Sequence, residues 1–128
     1  MFGNPSAERM AIEMTYEDTA SIYRTAPQTG ADGITKVAAS AVYQGIICGL
    51  SRSSGDGSGQ TKAQNNVDYD AAIFAAPELQ VLPGDSVSLR RFGRDNPSSQ
   101  QILHFAVVGR PAVYATHQEI RVKDGDLA

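Results

Sequence analysis

The sequence predicts an all-β protein: a small antiparallel β-barrel of about six to eight short strands, with one long polar loop between two of them. Three observations lead to this fold class. Apolar and polar residues alternate over much of the chain, which is the period of strands with one buried face. Clusters of Pro, Gly, Asp and Asn interrupt the alternation at intervals of roughly 8 to 15 residues. The 128 residues, 41% of them hydrophobic, suffice for one modest core, so residues 1–128 are expected to form a single domain.

In the first half of the chain, the alternation predicts strands on both sides of a loop. The predicted strands cover residues 10–16, 19–25 and 41–50, after an N-terminal arm of residues 1–9. Pro, Gly and Asp concentrate in residues 27–33, which are therefore predicted to form a loop. Residues 37–42 are also compatible with a short helix. Gly45 and Gly49 each weaken a helix by about 1 kcal/mol, so a strand is favoured for residues 41–50.

In the second half, the clearest unit surrounds a tight turn. Residues 79–81 and 87–89 alternate on either side of Pro83-Gly84-Asp85, and Pro-Gly at the two middle positions is typical of a type II turn. Three further strands are predicted within residues 67–74, 101–109 and 110–122. Leu103, Phe105 and Val107 are expected to share one face, as are Ile120 and Val122. Residues 124–128 are expected to form a loose tail.

The long polar loop covers residues 51–66, in which Ala63 is the only apolar side chain. Its glycines and Lys62 do not have the spacing found in phosphate-binding loops. A phosphate-binding loop is also followed by a helix, whereas a strand is predicted after residue 66. Asp56, Asp68 and Asp70 lack the spacing and the terminal glutamate of a calcium-binding EF-hand. Neither site is therefore predicted here.

Catalysis requires converging reactive groups, and the chain offers few of them. Cys48 lies in an apolar run and is predicted to be a buried, unreactive side chain. His104 lies within a predicted strand. His117 and Glu119 would share a face of a strand, so a metal or acid–base pair is conceivable, although a packed or surface-bonded histidine is favoured. We expect no enzymatic activity, no cofactor and no metal.

Charge is distributed unevenly along the chain. The formal net charge is −3 and the pI is near 5.2, which argues against a dedicated binder of double-stranded nucleic acid. Residues 90–123 nevertheless carry six basic and two acidic side chains, whereas residues 1–89 carry five basic and ten acidic ones. The basic part is either an ordinary solvated surface or a surface complementary to an acidic neighbour, such as the acidic half of another copy. The residues assigned to a subunit or partner interface are Arg90, Arg91, Arg94, Arg110, His117, Glu119 and Arg121.

The order of these features resembles a known family. The segments "SIYR", "CGLSRSS", "IFAAPELQVLPGDSVSLRRFG" and "GRPAVYATHQEIRV", with the long polar loop between the second and third, are similar to the head-closure, or minor capsid neck, proteins of tailed bacteriophages. The resemblance spans about residues 10–126. It implies a small β-barrel that assembles into a ring, usually of twelve copies, below the portal and adaptor proteins and above the tail or tail-terminator proteins.

In that family the ring closes the DNA-filled head, and the long loop projects toward the channel as a possible gate. The resemblance therefore implies that residues 51–66 face packaged double-stranded DNA, without sequence specificity. The loop residues assigned to this role are Arg52, Ser54, Asp56, Ser58, Gln60, Lys62 and Gln64. The family supplies no catalytic residues to carry over.

Two alternatives remain open at the level of the sequence. One is a tail terminator or another ring protein of the neck; the other is a stand-alone β-barrel binding module that resembles an oligonucleotide-binding fold. The second would require aromatic platforms on which bases stack, and the few aromatic residues here are scattered among presumed core positions. Residues 1–10 have no signal-peptide pattern and no segment approaches the length of a membrane span. We therefore expect a protein made in the cytoplasm and without a membrane partner, and the resemblance implies a bacterial host and a location in the virion neck.

Overall fold

The computed structural model describes residues 5–52 and 69–125. Within these ranges the chain forms one helix and seven strands. In chain order they are α1 (Pro5–Glu13), β1 (Asp18–Thr29), β2 (Thr35–Arg52), β3 (Ala71–Ala75), β4 (Ser86–Arg90), β5 (Ile102–Val107), β6 (Ala112–Val113) and β7 (Gln118–Asp124).

Six of the strands close into a barrel. They pair in the order β3-β2-β1-β4-β5-β7, and β3 also pairs with β7, which completes the ring of hydrogen bonds. Every pairing is antiparallel. The short strand β6 pairs only with β7, outside the closed ring. The predicted fold class, a small antiparallel β-barrel, is therefore confirmed.

Alternate residues of each barrel strand fill the interior. Leu89 and Ile120 are fully buried, and Phe105 is the largest fully buried side chain among the described residues. Leu103 is partly buried on the same face as Phe105 and Val107, and Ile120 and Val122 share a face, as the alternation predicted. The buried hydrophobic cluster comprises Ala20, Ile22, Cys48, Ala71, Ile73, Ala75, Val81, Val87, Leu89, Phe105, Val107, Ile120 and Val122.

The antiparallel order gives the barrel two distinct ends. Strands β1, β3 and β5 begin at one end, where β2, β4 and β7 finish. Residues 53–70 connect β2 to β3 at this end, which we call the loop end. The β1–β2 turn, residues 76–85 and the β6 region lie at the other end, which we call the ribbon end. The β2–β3 connection and the β1–β2 turn therefore start from opposite ends of the barrel.

At the ribbon end, β1 and β2 continue beyond the barrel as a two-stranded ribbon, formed by residues 25–29 paired with residues 35–39. All of these residues except Ala38 are exposed, and Val37 retains 73% of its accessible surface. The loop predicted at residues 27–33 is therefore shorter than expected. Pro27 and the residues up to Thr29 belong to β1, because the proline stands on a free strand edge, where no N–H is needed.

The strand predicted at residues 10–16 is wrong. Residues 5–13 form α1 instead, so most of the predicted N-terminal arm is helical. Pro5 occupies the first helical position, where a proline fits, and Arg9 pairs with Glu13 one turn later. Met10 and Met14 are 67% and 75% exposed, so their alternation did not mark a buried face.

The strand predicted at residues 79–81 is also absent, although the turn that follows it is present. Gly84 has φ of 93° and the Asp85 N–H donates to the Leu82 carbonyl at 3.1 Å, which fits a type II turn. Side chains satisfy the backbone before the turn: the buried Gln118 amide donates to the carbonyls of Ala76 and Leu79 at 2.8 and 2.7 Å. The segment therefore needs no strand partner.

The boundaries of the long loop and of the tail also differ from the prediction. Ser51 and Arg52 belong to β2, and residues 53–66 lie outside the described residues. Asp124 belongs to β7, and its N–H donates to the Asp70 carboxylate at 2.9 Å. Residues 126–128 lie outside the described residues as well.

Cys48 is buried, as predicted, and it is a free thiol. Burial raises its pKa to about 12, and the negative charge of Asp18 adds to the shift. A raised pKa favours the protonated thiol in the folded state. This contribution to stability is complete below the ordinary value of 9.0 and is lost as pH rises from there toward 12.

We expect the Cys48 thiol to be inert in the folded protein at neutral pH. A thiol-reactive dye should label it only at the rate of unfolding, because the dye needs both access and a thiolate. An Ala39→Cys variant, with its added thiol on the exposed ribbon, serves as the control and should take up one dye at once. Immediate labelling of the unmodified protein without denaturant would contradict the burial of Cys48.

Candidate interaction surfaces

The first surface surrounds the point where the long loop leaves the barrel. Arg52, the last residue of β2, lies directly opposite Ala71, the first residue of β3. The connection between β2 and β3 therefore begins and ends at one place on the loop end. The Arg52 guanidinium lies 5.8 Å from the centre of the Phe105 ring, and its Nη2 is 3.7 Å from Asp124 Oδ1. Its side chain remains half exposed, so the charge is available to solvent at the loop's root.

The returning chain is held against β7. The Asp70 N–H donates to the Val122 carbonyl at 2.9 Å, and the Arg121 guanidinium lies 5.8 Å from the centre of the Tyr69 ring. These contacts fix the second root next to the first. The other residues assigned to the channel lie outside the described residues: Ser54, Asp56, Ser58, Gln60, Lys62 and Gln64.

Three of the arginines assigned to an interface bind segments of their own chain. The Arg90 guanidinium donates to the Ser99 carbonyl. Arg94 Nη1 donates to the carbonyls of Glu13 and Tyr16, at 2.6 and 2.9 Å, and so joins the β4–β5 turn to the end of α1. Arg91 stacks on Phe92 with its guanidinium carbon 4.8 Å from the ring centre. Much of the hydrogen-bonding capacity of these arginines is thus used within the fold.

The other assigned interface residues lie on different parts of the surface. Arg110 is exposed in the connection between β5 and β6, at the ribbon end. His117 stacks on Tyr114 with ring centres 5.0 Å apart, and its Nε2 is 3.3 Å from Glu119 Oε2. Arg121 lies further along β7, toward the loop end. The structure therefore divides the seven residues between the two ends of the barrel.

His117 is a packed surface histidine. Its Nδ1 lies 3.0 Å from the Thr116 hydroxyl, and the Phe74 ring contacts it edge-on at 5.8 Å between centres. Together with the contacts to Tyr114 and Glu119, these neighbours surround the imidazole. Within residues 5–52 and 69–125, no group of three or more His, Cys, Asp or Glu side chains is arranged to hold a metal ion.

Two buried carboxylates, Asp85 and Asp18, were not predicted from the sequence. Asp85 is 2% exposed and accepts hydrogen bonds from Arg24 Nε and Nη2 at 2.9 and 2.8 Å and from the Leu82 N–H at 2.9 Å. Arg24 Nη2 also donates to the Gln80 carbonyl at 3.0 Å. The hydrogen bond to Asp85 raises the pKa of Arg24. This bidentate pair fixes the base of the ribbon to the turn before β4.

Asp18, the other buried carboxylate, stabilises the turn after β4. It is 2% exposed and accepts a hydrogen bond from the Phe92 N–H at 2.8 Å. Phe92 has φ of 62°, a conformation that is rare for a bulky residue. Arg91 Nε is 3.5 Å from the same carboxylate oxygen. The only local signal was an acidic residue next to a predicted strand, which is too common to identify a buried carboxylate.

Comparison with known proteins gives similarity at the level of the fold. No protein-family model and no curated protein sequence matches this chain. The structure is similar to the solution structure of protein SF1141 from Shigella flexneri 2a, with a TM-score of 0.62 and 10% identity over 88% of this chain and 96% of that chain. It is also similar, with a TM-score of 0.45 and 10% identity, to protein xkdH of the phage-like element PBSX from Bacillus subtilis, over 83% and 91% of the two chains. No helix within residues 5–52 and 69–125 is long and apolar enough to cross a membrane.

Proposed function

We propose that this chain is a structural protein of a tailed-bacteriophage neck, where a ring of copies closes the DNA-filled head and docks the tail. In this proposal the ring lies below the portal and adaptor proteins, and residues 51–66 face the DNA channel as a gate. The observation that carries the proposal is the position of Arg52 and Ala71, cross-strand neighbours at one end of a closed barrel. A long polar segment rooted at a single point can project from a rigid body into a channel.

The charge of the proposed gate suits DNA that must be held and later released. Arg52, Asp56 and Lys62 give the segment one net positive charge. Each phosphate that a protein neutralises strengthens binding, with a salt slope of roughly −0.9 per contact. Twelve copies would give a ring of about +12, so many weak contacts would centre the DNA while no single contact retains it.

The ring contacts in this proposal join a basic face of one barrel to an acidic face of its neighbour. A head-to-tail ring requires two complementary faces on each copy. Because Arg90, Arg91 and Arg94 bind the chain's own carbonyl and carboxylate groups and Arg121 lies over the Tyr69 ring, we assign the basic face chiefly to the exposed Arg110. The acidic first half of a neighbouring copy is the complementary face.

Electron cryo-microscopy of phage particles that carry this chain tests the proposed position. We expect barrel density in a ring between the portal complex and the tail, with the β2–β3 connection on the side of the lumen. Density at the junction of the tail tube and its terminator would instead identify a terminator. Absence of the chain from the particles would overturn the proposal as a whole.

A shortened loop tests the proposed gate separately. Replacing residues 53–66 by four Gly and Ser residues should leave the barrel stable, because shortening a connection by this amount changes the entropy cost of closing it by only about 1 kcal/mol. We expect such particles to assemble and fill, but to lose DNA to added nuclease. A matched variant with fourteen Gly and Ser residues at the same positions controls for composition. Full DNA protection with the shortened loop would contradict the gate.

A further inference from the structure

The ribbon has two free strand edges among the described residues. β4 pairs with β1 only at residues 19–23, and β3 pairs with β2 only at residues 49–52. Along residues 25–29 and 35–39 each strand therefore has a partner on one side only. An unpaired strand edge presents N–H and C=O groups that can pair with a strand of another molecule.

The hydrogen bonds at the tip establish which backbone groups point outward. The Gly30 N–H donates to the Ile34 carbonyl at 3.1 Å, so Thr29 and Thr35 form a non-hydrogen-bonded pair. Their hydroxyls, 2.9 Å apart, agree with the close side chains of such a pair. The register is regular from this pair to the pairing of Tyr23 with Ala41. Residues 35, 37, 39 and 41 therefore direct their N–H and C=O groups away from β1.

The two edges differ in their protection against pairing. On β1, Pro27 occupies an outward-facing position, so the edge lacks an N–H there at no cost to the ribbon's own ladder. On β2, none of the four outward-facing residues is proline. No charged residue lies between Lys36 and Arg52. Natural sheets protect an edge that must stay free with proline or charge. The β1 edge has Pro27 at an outward-facing position, whereas Lys36, whose backbone groups face β1, is the only charged residue on the β2 stretch.

We propose that the β2 edge of the ribbon pairs with the β2 edge of a second copy, antiparallel and about a two-fold axis. If the axis lies at Ala38, residues 35, 37, 39 and 41 of one copy face residues 41, 39, 37 and 35 of the other. Every outward-facing group on both edges then has a partner, and the two Lys36 side chains lie apart, each opposite a serine. A second copy is the occupant because this edge is self-complementary in direction and in hydrogen-bonding pattern, and because the one charged residue of each stretch, Lys36, avoids its counterpart in this register.

The product is a four-stranded sheet whose outer strands are the two copies of β1. Pro27 then stands on both outer edges, so the sheet stops growing at a pair. A ribbon of two strands is only marginally stable by itself, and four strands give it the support that the barrel does not. The contact is isologous and therefore distinct from the heterologous contacts of the proposed ring. It does not depend on the proposed function.

A single-cysteine crosslink tests the symmetry of the contact. Ala38→Cys places a thiol beside its own counterpart at the two-fold axis, and mild oxidation should give a covalent dimer in high yield. Thr25→Cys, on the β1 edge, is the matched control and should stay monomeric. Cys48 is buried and leaves both readouts undisturbed. Equal crosslinking of the two variants, or none with Ala38→Cys, would overturn the proposed edge.

Edge-blocking substitutions test the hydrogen bonds themselves. Ala39→Pro removes one outward N–H from each copy and spares the ribbon's own ladder, so sedimentation equilibrium should show dimer affinity lowered at least about tenfold. Ala39→Thr keeps the N–H and should dimerise as the unmodified protein does. Pro27→Thr restores an N–H on the outer edge and should permit oligomers larger than two. Circular dichroism verifies that each variant is folded.

An unmodified protein that sediments as a monomer at every concentration would overturn the inference, as would unchanged dimerisation of Ala39→Pro. Neither outcome would contradict the proposed position in the phage neck, because microscopy of the particles tests that proposal separately.

Discussion

Asp85→Ala is expected to lower the free energy of unfolding by about 2 kcal/mol, because it removes the buried acceptor of several hydrogen bonds, although the partly exposed Arg24 can still be hydrated. Arg24 loses both charge-assisted hydrogen bonds, and the Leu82 N–H loses its acceptor. Denaturant unfolding of the two proteins measures the difference. Hydrogen exchange should also become faster at the base of the ribbon, since the pair fixes Arg24 to the turn before β4.

Asp95→Ala is the matched control for this prediction. Asp95 is exposed in the β4–β5 turn, and a surface substitution of this kind usually changes stability by less than about 0.5 kcal/mol. Equal losses in the two variants would show that the Arg24–Asp85 pair contributes nothing particular. A double-mutant cycle with Arg24→Ala isolates the coupling between the two side chains.

Phe105→Ala is expected to cost about 4 kcal/mol, through lost burial and the cavity left in the core. Phe105 is 1% exposed and is the largest fully buried side chain among the described residues. Its ring also supports the Arg52 guanidinium at the root of the long loop. We therefore expect thermal unfolding well below that of the unmodified protein, together with faster hydrogen exchange at the end of β2.

Phe92→Ala controls for the loss of an aromatic ring. Phe92 is 42% exposed, so its truncation should cost less than about 1 kcal/mol. A loss as large as that of Phe105→Ala would contradict the assignment of Phe105, rather than Phe92, to the core. Phe105→Leu should lie between the two, because it refills part of the cavity.

The sequence predicted the features that depend on neighbouring residues. Alternation identified the inward faces of β5 and β7, and the apolar run identified the burial of Cys48. Pro83-Gly84 identified a type II turn because its two residues satisfy the backbone angles locally. The same reasoning failed for α1, because Met10, in the helix, and Met14, just after it, are both exposed and their spacing marks no buried face.

The candidate surfaces were predicted less completely. The sequence indicated a polar connection after β2, but not that Arg52 and Ala71 lie side by side at its root. It grouped seven charged or titratable residues as one interface, whereas the fold separates them between two ends. The sequence gives only the number of charges in a segment. The tertiary structure shows that Arg91 lies beside Asp18, and that Arg90 and Arg94 donate to the carbonyls of Ser99 and Tyr16.

The sequence by itself determined that this chain is a small β-protein with one core, regular inward faces and a long polar segment. Local periodicity and turn chemistry suffice for that, because each depends on residues a few positions apart. The tertiary structure alone decided the closure of β3 on β7, the pairing of Arg24 with Asp85 across 61 positions, and the projection of the ribbon from the end opposite the loop. These arrangements depend on which distant strands become neighbours, and no local pattern specifies that choice.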